Sequence, residues 1–74
     1  MLYQPRYVAY AKAHKMTPDQ MKERDREKYP EGSMCGYIAW IREKTRAFRE
    51  INPDAFLGEY VRDHKAFTEY LFTF

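Results

Sequence analysis

Cysteine occurs once in the 74 residues, glycine three times and proline four times. The lone thiol, Cys35, excludes a disulfide within the chain and points to reducing, cytoplasmic surroundings. One cysteine and two histidines cannot fill a Cys/His zinc set, and neither C-x-x-C nor H-x-x-x-H spacing occurs. Gly32, Gly36 and Gly58 are isolated, so no glycine-rich loop exists to cradle a phosphate. No run approaches the roughly 18 apolar residues of a membrane span. Pro5 and Arg6 interrupt the N-terminal segment before the apolar core of a signal peptide can form. An excess of one charge is also lacking. Thirteen Lys and Arg against eleven Asp and Glu leave a net charge of +2, which argues against a polybasic nucleic-acid arm and against an acidic DNA mimic. No cofactor, metal or membrane partner is expected.

Aromatic residues, by contrast, form 18% of the chain: seven Tyr, five Phe and one Trp. A short chain without cross-links needs large side chains to offset its conformational entropy, so most of these should build a single domain, residues 1–74. Some should still reach the surface, where Tyr and Trp favour interfaces.

The periodicity predicts an all-α fold, a compact bundle of four helices at about 5–15, 18–29, 34–51 and 53–72 around a central third helix. Pro5 suits the first helical position, and Tyr7, Tyr10, Ala11 and His14 share one side of the helix that follows. Thr17-Pro18-Asp19-Gln20 is a capping box, with Met16 and Met21 at the staple positions. The middle of the second helix, Lys22 to Lys28, is wholly charged and is expected to face solvent, anchored only by Met21 and Tyr29. Ser33 is placed to cap the third helix, whose inner face is expected to be Met34, Tyr37, Ile38, Ile41, Thr45 and Phe48. Trp40 and Ile51 stand on its shoulder, and Arg42, Arg46 and Arg49 form a stripe beside it. Asn52-Pro53-Asp54 repeats the cap logic, with Ile51 and Phe56 as a second staple. Phe56, Leu57, Tyr60, Val61, His64, Phe67 and Leu71 then give one wide apolar stripe. Gly58 weakens this helix by about 1 kcal/mol relative to Ala, and a break near Asp63 is compatible with the pattern. No period-2 alternation and no Asn-Gly or Asp-Gly turn predicts a strand. The apolar tail, Tyr70 to Phe74, must either dock on the core or meet a partner.

No catalytic constellation emerges. Cys35 near a helix start could in principle pair with His14 or His64, but a small apolar residue packing at a helix entry is the preferred reading. The histidines lie on apolar stripes and are expected to be half-buried. The partner-binding candidates are Tyr3, Trp40, Arg42, Arg46, Arg49, Tyr70, Phe72 and Phe74, since Trp, Tyr and Arg are the usual hot-spot types. The arginines at i, i+4 and i+7 also suit a phosphate backbone, with Lys44 on the other flank and Lys12, Lys15, Lys22, Arg24 and Arg26 as extensions. A homodimer burying the tail is a third arrangement.

Two resemblances bear on these alternatives. Tyr37 and Trp40, the segment Asn52-Pro53-Asp54-Ala55, and Glu59-Tyr60 are similar to the first two helices of a high-mobility-group box. That resemblance implies DNA bent by a minor-groove wedge, although the family's basic density has no counterpart here. Over residues 5 to about 48 the chain resembles small uncharacterised proteins of bacteriophages and prophages. The residues are Pro5-Arg6-Tyr7 with Tyr10, Thr17-Pro18-Asp19-Gln20-Met21 with Asp25, and Tyr29-Pro30, Gly32, Met34-Cys35-Gly36-Tyr37-Ile38 and Trp40-Ile41. It implies a phage accessory protein, of a class that commonly binds and redirects a host factor, and it assigns no catalytic residue. With no catalytic constellation in the residues, the expectation is a non-enzymatic protein that binds and inhibits or modulates a bacterial host protein or complex in the host cytoplasm.

Overall fold

The computed structural model describes residues 3–74. Helix α1 spans Pro5–Ala13, with Pro5 at the first position where a missing N–H costs nothing. It stops on a Schellman turn. Lys15 takes a left-handed φ of 58°, its amide donates to the Lys12 carbonyl at 2.9 Å, and the Met16 amide donates to the Ala11 carbonyl at 3.0 Å. Helix α2 spans Pro18–Lys28 and opens on the expected capping box: the Gln20 amide donates to Thr17 Oγ1 at 3.2 Å, and the Thr17 amide to Gln20 Oε1 at 3.1 Å. Its charged middle is not wholly solvated as expected. Asp25, one turn beyond the buried Met21 and on the same face, is itself fully buried against α1. Burial of this carboxylate is possible because Tyr10 and Arg24 both donate to it.

Helix α3 spans Cys35–Ile51. Met34 rather than Ser33 stands at its N-cap, without a side-chain capping bond. Of its expected inner face only Phe48 is fully buried. Tyr37, Ile41 and Thr45 are half-buried, and Met34 and Ile38 are each 47% exposed.

The fourth helix expected over 53–72 is divided. Pro53–Ala55 makes a single 3-10 turn, Phe56–Leu57 (β1) pairs antiparallel with Tyr60–Val61 (β2), and helix α4 runs only over His64–Leu71. Gly58 is the physical reason. Its φ of +65° is left-handed, which a helix cannot accommodate and a tight hairpin requires at its first central position. Positions 56, 57, 60 and 61 satisfy helical spacing and a two-residue hairpin equally well, so the hydrophobic stripe was misleading. In the hairpin Phe56 turns in, while its neighbour Leu57 and the cross-strand partner Tyr60 are 70% and 80% exposed. The Ile51 staple is likewise absent, since Ile51 is 68% exposed and Asn52 makes no capping bond. The hairpin is tied at its base by the Arg62 and Asp63 amides, both donating to the Ala55 carbonyl at 2.7 and 3.0 Å. Asp63 then caps α4, its Oδ1 accepting from the Ala66 amide at 3.1 Å.

The chain is therefore mainly helical with a small two-stranded sheet. Its apolar side chains form two clusters. Ala9, Phe48, Ala55, Phe56, Phe67 and Leu71 make one, and Tyr7, Tyr10, Ala11 and Met21 make the other. Trp40 packs against both. Helix α1 packs on α2, α3 and α4 alike, so it shares the centre that the sequence pattern assigns to α3. The apolar tail docks on this core: Leu71 is buried, the Tyr70 ring lies 4.8 Å from that of Phe48, and Lys12 Nζ donates to the Phe72 carbonyl at 3.1 Å. The histidines are exposed rather than half-buried. His14 Nδ1 donates to the Tyr10 carbonyl at 2.9 Å, and His64 Nδ1 accepts from Arg6 Nη2 at 2.8 Å.

Candidate interaction surface

Helical spacing places Arg42, Arg46 and Arg49 on one exposed face of α3. Together with Ile41, Thr45 and Glu59 they line a groove of about 430 Å³. Glu59 arrives from the hairpin, where the Gly58-Glu59 turn folds back beside the helix. The Thr45 hydroxyl donates to its own helix, to the Ile41 carbonyl at 2.7 Å, so the floor of the groove offers mainly apolar surface. Among the described residues none of the three guanidinium groups lies within ion-pair distance of a carboxylate. Three positive charges thus face one negative wall. Leu57 and Tyr60 flank the turn that carries Glu59 and are exposed apolar surface on the hairpin.

The other expected partner residues do not join that groove. Phe74 stacks edge-on against Tyr70 at 5.1 Å, and Lys44 Nζ sits 3.9 Å above its ring. Phe72 is half-buried against the Phe48 cluster, and Trp40 is half-buried between the two clusters. Tyr3, just before α1, stacks on Tyr7 at 5.5 Å, with its hydroxyl donating to Asp19 at 2.6 Å. With Tyr7, Tyr37, Met34 and Lys22 it borders a second groove of about 290 Å³. The hydrogen bond to Asp19 raises the Tyr3 phenol pKa, and burial raises those of Tyr7 and Tyr37. These rings remain neutral hydroxyl groups through the physiological range.

The basic residues expected to extend the arginine stripe lie on α1, α2 and the turn between them, and several already have partners. Arg24 Nη2 donates to Asp25 Oδ1 at 3.0 Å, Arg26 pairs with Glu23 at 3.4 Å, and Lys12 bonds the Phe72 carbonyl. The Asp25 contact raises the Arg24 pKa further. Asp25 was missed as a structural residue because a carboxylate in a run of mixed charges looks solvated; its position four residues after Met21 was the available signal. Glu59 was missed because its place opposite the arginines depends on the hairpin.

Cys35 is exposed, and both histidines make their hydrogen bonds elsewhere. Among the described residues no group of three His, Cys, Asp or Glu side chains is arranged to hold a metal, and no helix is long and apolar enough to cross a membrane. No protein-family model, curated protein or solved structure matches the chain.

Proposed function

We propose that this chain is a non-enzymatic accessory protein of bacteriophage type that binds a bacterial host protein in the cytoplasm and blocks or modulates it. The groove between α3 and the hairpin carries this reading: three arginines that hold no ion pair among the described residues and one carboxylate, Glu59, with an exposed Leu–Tyr pair on the same hairpin as Glu59. Arg and Tyr are the residue types that dominate protein interfaces, and a mixed-charge groove beside apolar surface suits a protein partner. The phage assignment rests on the resemblance of the segment from Pro5 to Trp40 and beyond, ending near residue 48. Of the candidate residues, Arg42, Arg46 and Arg49 form the binding face; Tyr3, Trp40, Tyr70, Phe72 and Phe74 mainly support packing.

The test is affinity capture from bacterial lysate with and without nuclease, using the native chain and an Arg42→Ala/Arg46→Ala/Arg49→Ala variant. The three side chains are exposed, so the variant should retain the native circular dichroism spectrum. One stoichiometric protein that survives nuclease and is lost with the variant is the expected result. Recovery of nucleic acid alone, with a log–log salt slope near about −3 for three neutralised phosphates, would instead establish a DNA-binding module. Self-association alone would establish a homodimeric structural protein.

A further inference from the structure

Resting on the reading above, we infer that the groove between α3 and the hairpin receives one face of an acidic amphipathic helix of the partner protein. Its carboxylates pair with Arg42, Arg46 and Arg49, and its apolar edge lies against Leu57 and Tyr60.

Spacing supplies the first reason. At 1.5 Å rise per residue, Arg42 and Arg49 lie about 10 Å apart along the α3 axis, and carboxylates at i, i+4 and i+7 of a second helix repeat the same steps. A helix lying along α3 therefore brings one carboxylate to each guanidinium. Availability is the second reason. The three arginines hold no ion pair among the described residues, so no existing bond must break before a carboxylate binds. The groove's shape supplies the third. About 430 Å³ admits several side chains but not a whole helix of roughly 10–12 Å diameter, so an occupying helix presents one face only.

Glu59 and the hairpin pair select against a nucleic-acid occupant. A phosphate backbone running along the arginines carries continuous negative charge and would meet the Glu59 carboxylate on the far wall. A protein helix presents a neutral or basic side chain at that point. Leu57 and Tyr60, at 70% and 80% exposure, gain from apolar burial that a sugar-phosphate chain does not offer.

Fluorescence anisotropy with a labelled peptide of about 18 residues, long enough to hold a helix, tests this. The peptide carries Glu at i, i+4 and i+7 with Leu on the adjacent stripe. A scrambled peptide, a Glu→Gln peptide and a labelled DNA duplex serve as comparisons. The expected result is binding of the patterned peptide at least about tenfold tighter than either altered peptide, with an Arg46→Glu chain or a Leu57→Ser/Tyr60→Ser chain losing about tenfold or more. Equal binding of patterned and scrambled peptides would overturn the inference, as would a duplex that binds more tightly than any peptide. If the patterned peptide fails while lysate capture still returns a nuclease-resistant protein lost with the arginine variant, the helix inference falls and the protein-binding reading stands. If capture fails as well, both fall.

Discussion

The Tyr10 hydroxyl donates to Asp25 Oδ2 at 2.9 Å in a seam between α1 and α2 where both residues are almost completely buried. Arg24 completes the set from the edge, and α3 closes over the bond with a residue that has no side chain, Gly36. A Cβ there would lie 2.7 Å from the Tyr10 oxygen and 3.0 Å from the Tyr29 ring. Replacing a helical glycine by alanine normally stabilises by up to about 1 kcal/mol. Gly36→Ala should do the opposite and cost about 1–3 kcal/mol through overpacking, lowering Tm by about 4–8 °C for each kcal/mol. Thermal denaturation followed by circular dichroism measures it. An unchanged or higher Tm would show that the helices do not meet this closely.

Asp25→Ala removes the acceptor and leaves the buried Tyr10 O–H with nothing to donate to, at a cost of about 1–3 kcal/mol. Glu27→Ala, two residues away on the exposed side of α2, should stay within about 0.5 kcal/mol. Urea titration of the two variants separates a buried carboxylate from a solvated one. Equal effects would return Asp25 to the solvated face that the charge run suggests.

Alkaline pH should destabilise the fold. Burial first, then the Asp25 hydrogen bond, pushes the Tyr10 pKa well above the ordinary phenol value, and Tyr7 and Tyr37 are raised by burial. Below pH of about 10 these phenols are protonated in both states, and the contribution is fully present. Above it the unfolded chain releases protons that the native chain retains, so stability falls as pH rises toward the native values. Tyrosinate absorbance should show a late-titrating ring that Tyr10→Phe abolishes. Simultaneous titration of all tyrosines at the ordinary value would contradict this.

The hairpin separates stability from binding. Gly58→Ala forces a left-handed φ on an L residue and should cost about 1–2 kcal/mol, although nothing crowds the position. Tyr60→Ser, at a side chain that is 80% exposed, should leave stability within about 0.5 kcal/mol and weaken partner binding instead. Chemical denaturation and a binding titration on both variants distinguish the two effects. Loss of stability in the serine variant would place Tyr60 in the core.

Features encoded over a few residues were legible in the sequence. The Thr17–Gln20 capping box, the Pro5 start and the arginine stripe all stand where local spacing places them. The hairpin was not, because Phe56, Leu57, Tyr60 and Val61 fit a helix as well as two short strands, and only the φ of Gly58 decides between them. Consequently half of the candidate site was legible. Arg42, Arg46 and Arg49 follow from helical period, whereas Glu59 reaches that groove, and Leu57 and Tyr60 become exposed strand partners, only through the turn. Trp40 illustrates the converse. As a shoulder residue on a helix it suits a surface, and only the division of the core into two clusters gives it a half-buried packing role.

The most direct test of the account is an amide chemical-shift map of the isotope-labelled chain titrated with the protein captured from lysate. Perturbation concentrated at Arg42–Arg49 and Leu57–Tyr60 is predicted, with the Tyr3, Lys22 and Tyr37 region unchanged. Perturbation centred on that tyrosine-lined groove, with the arginine face silent, would contradict it.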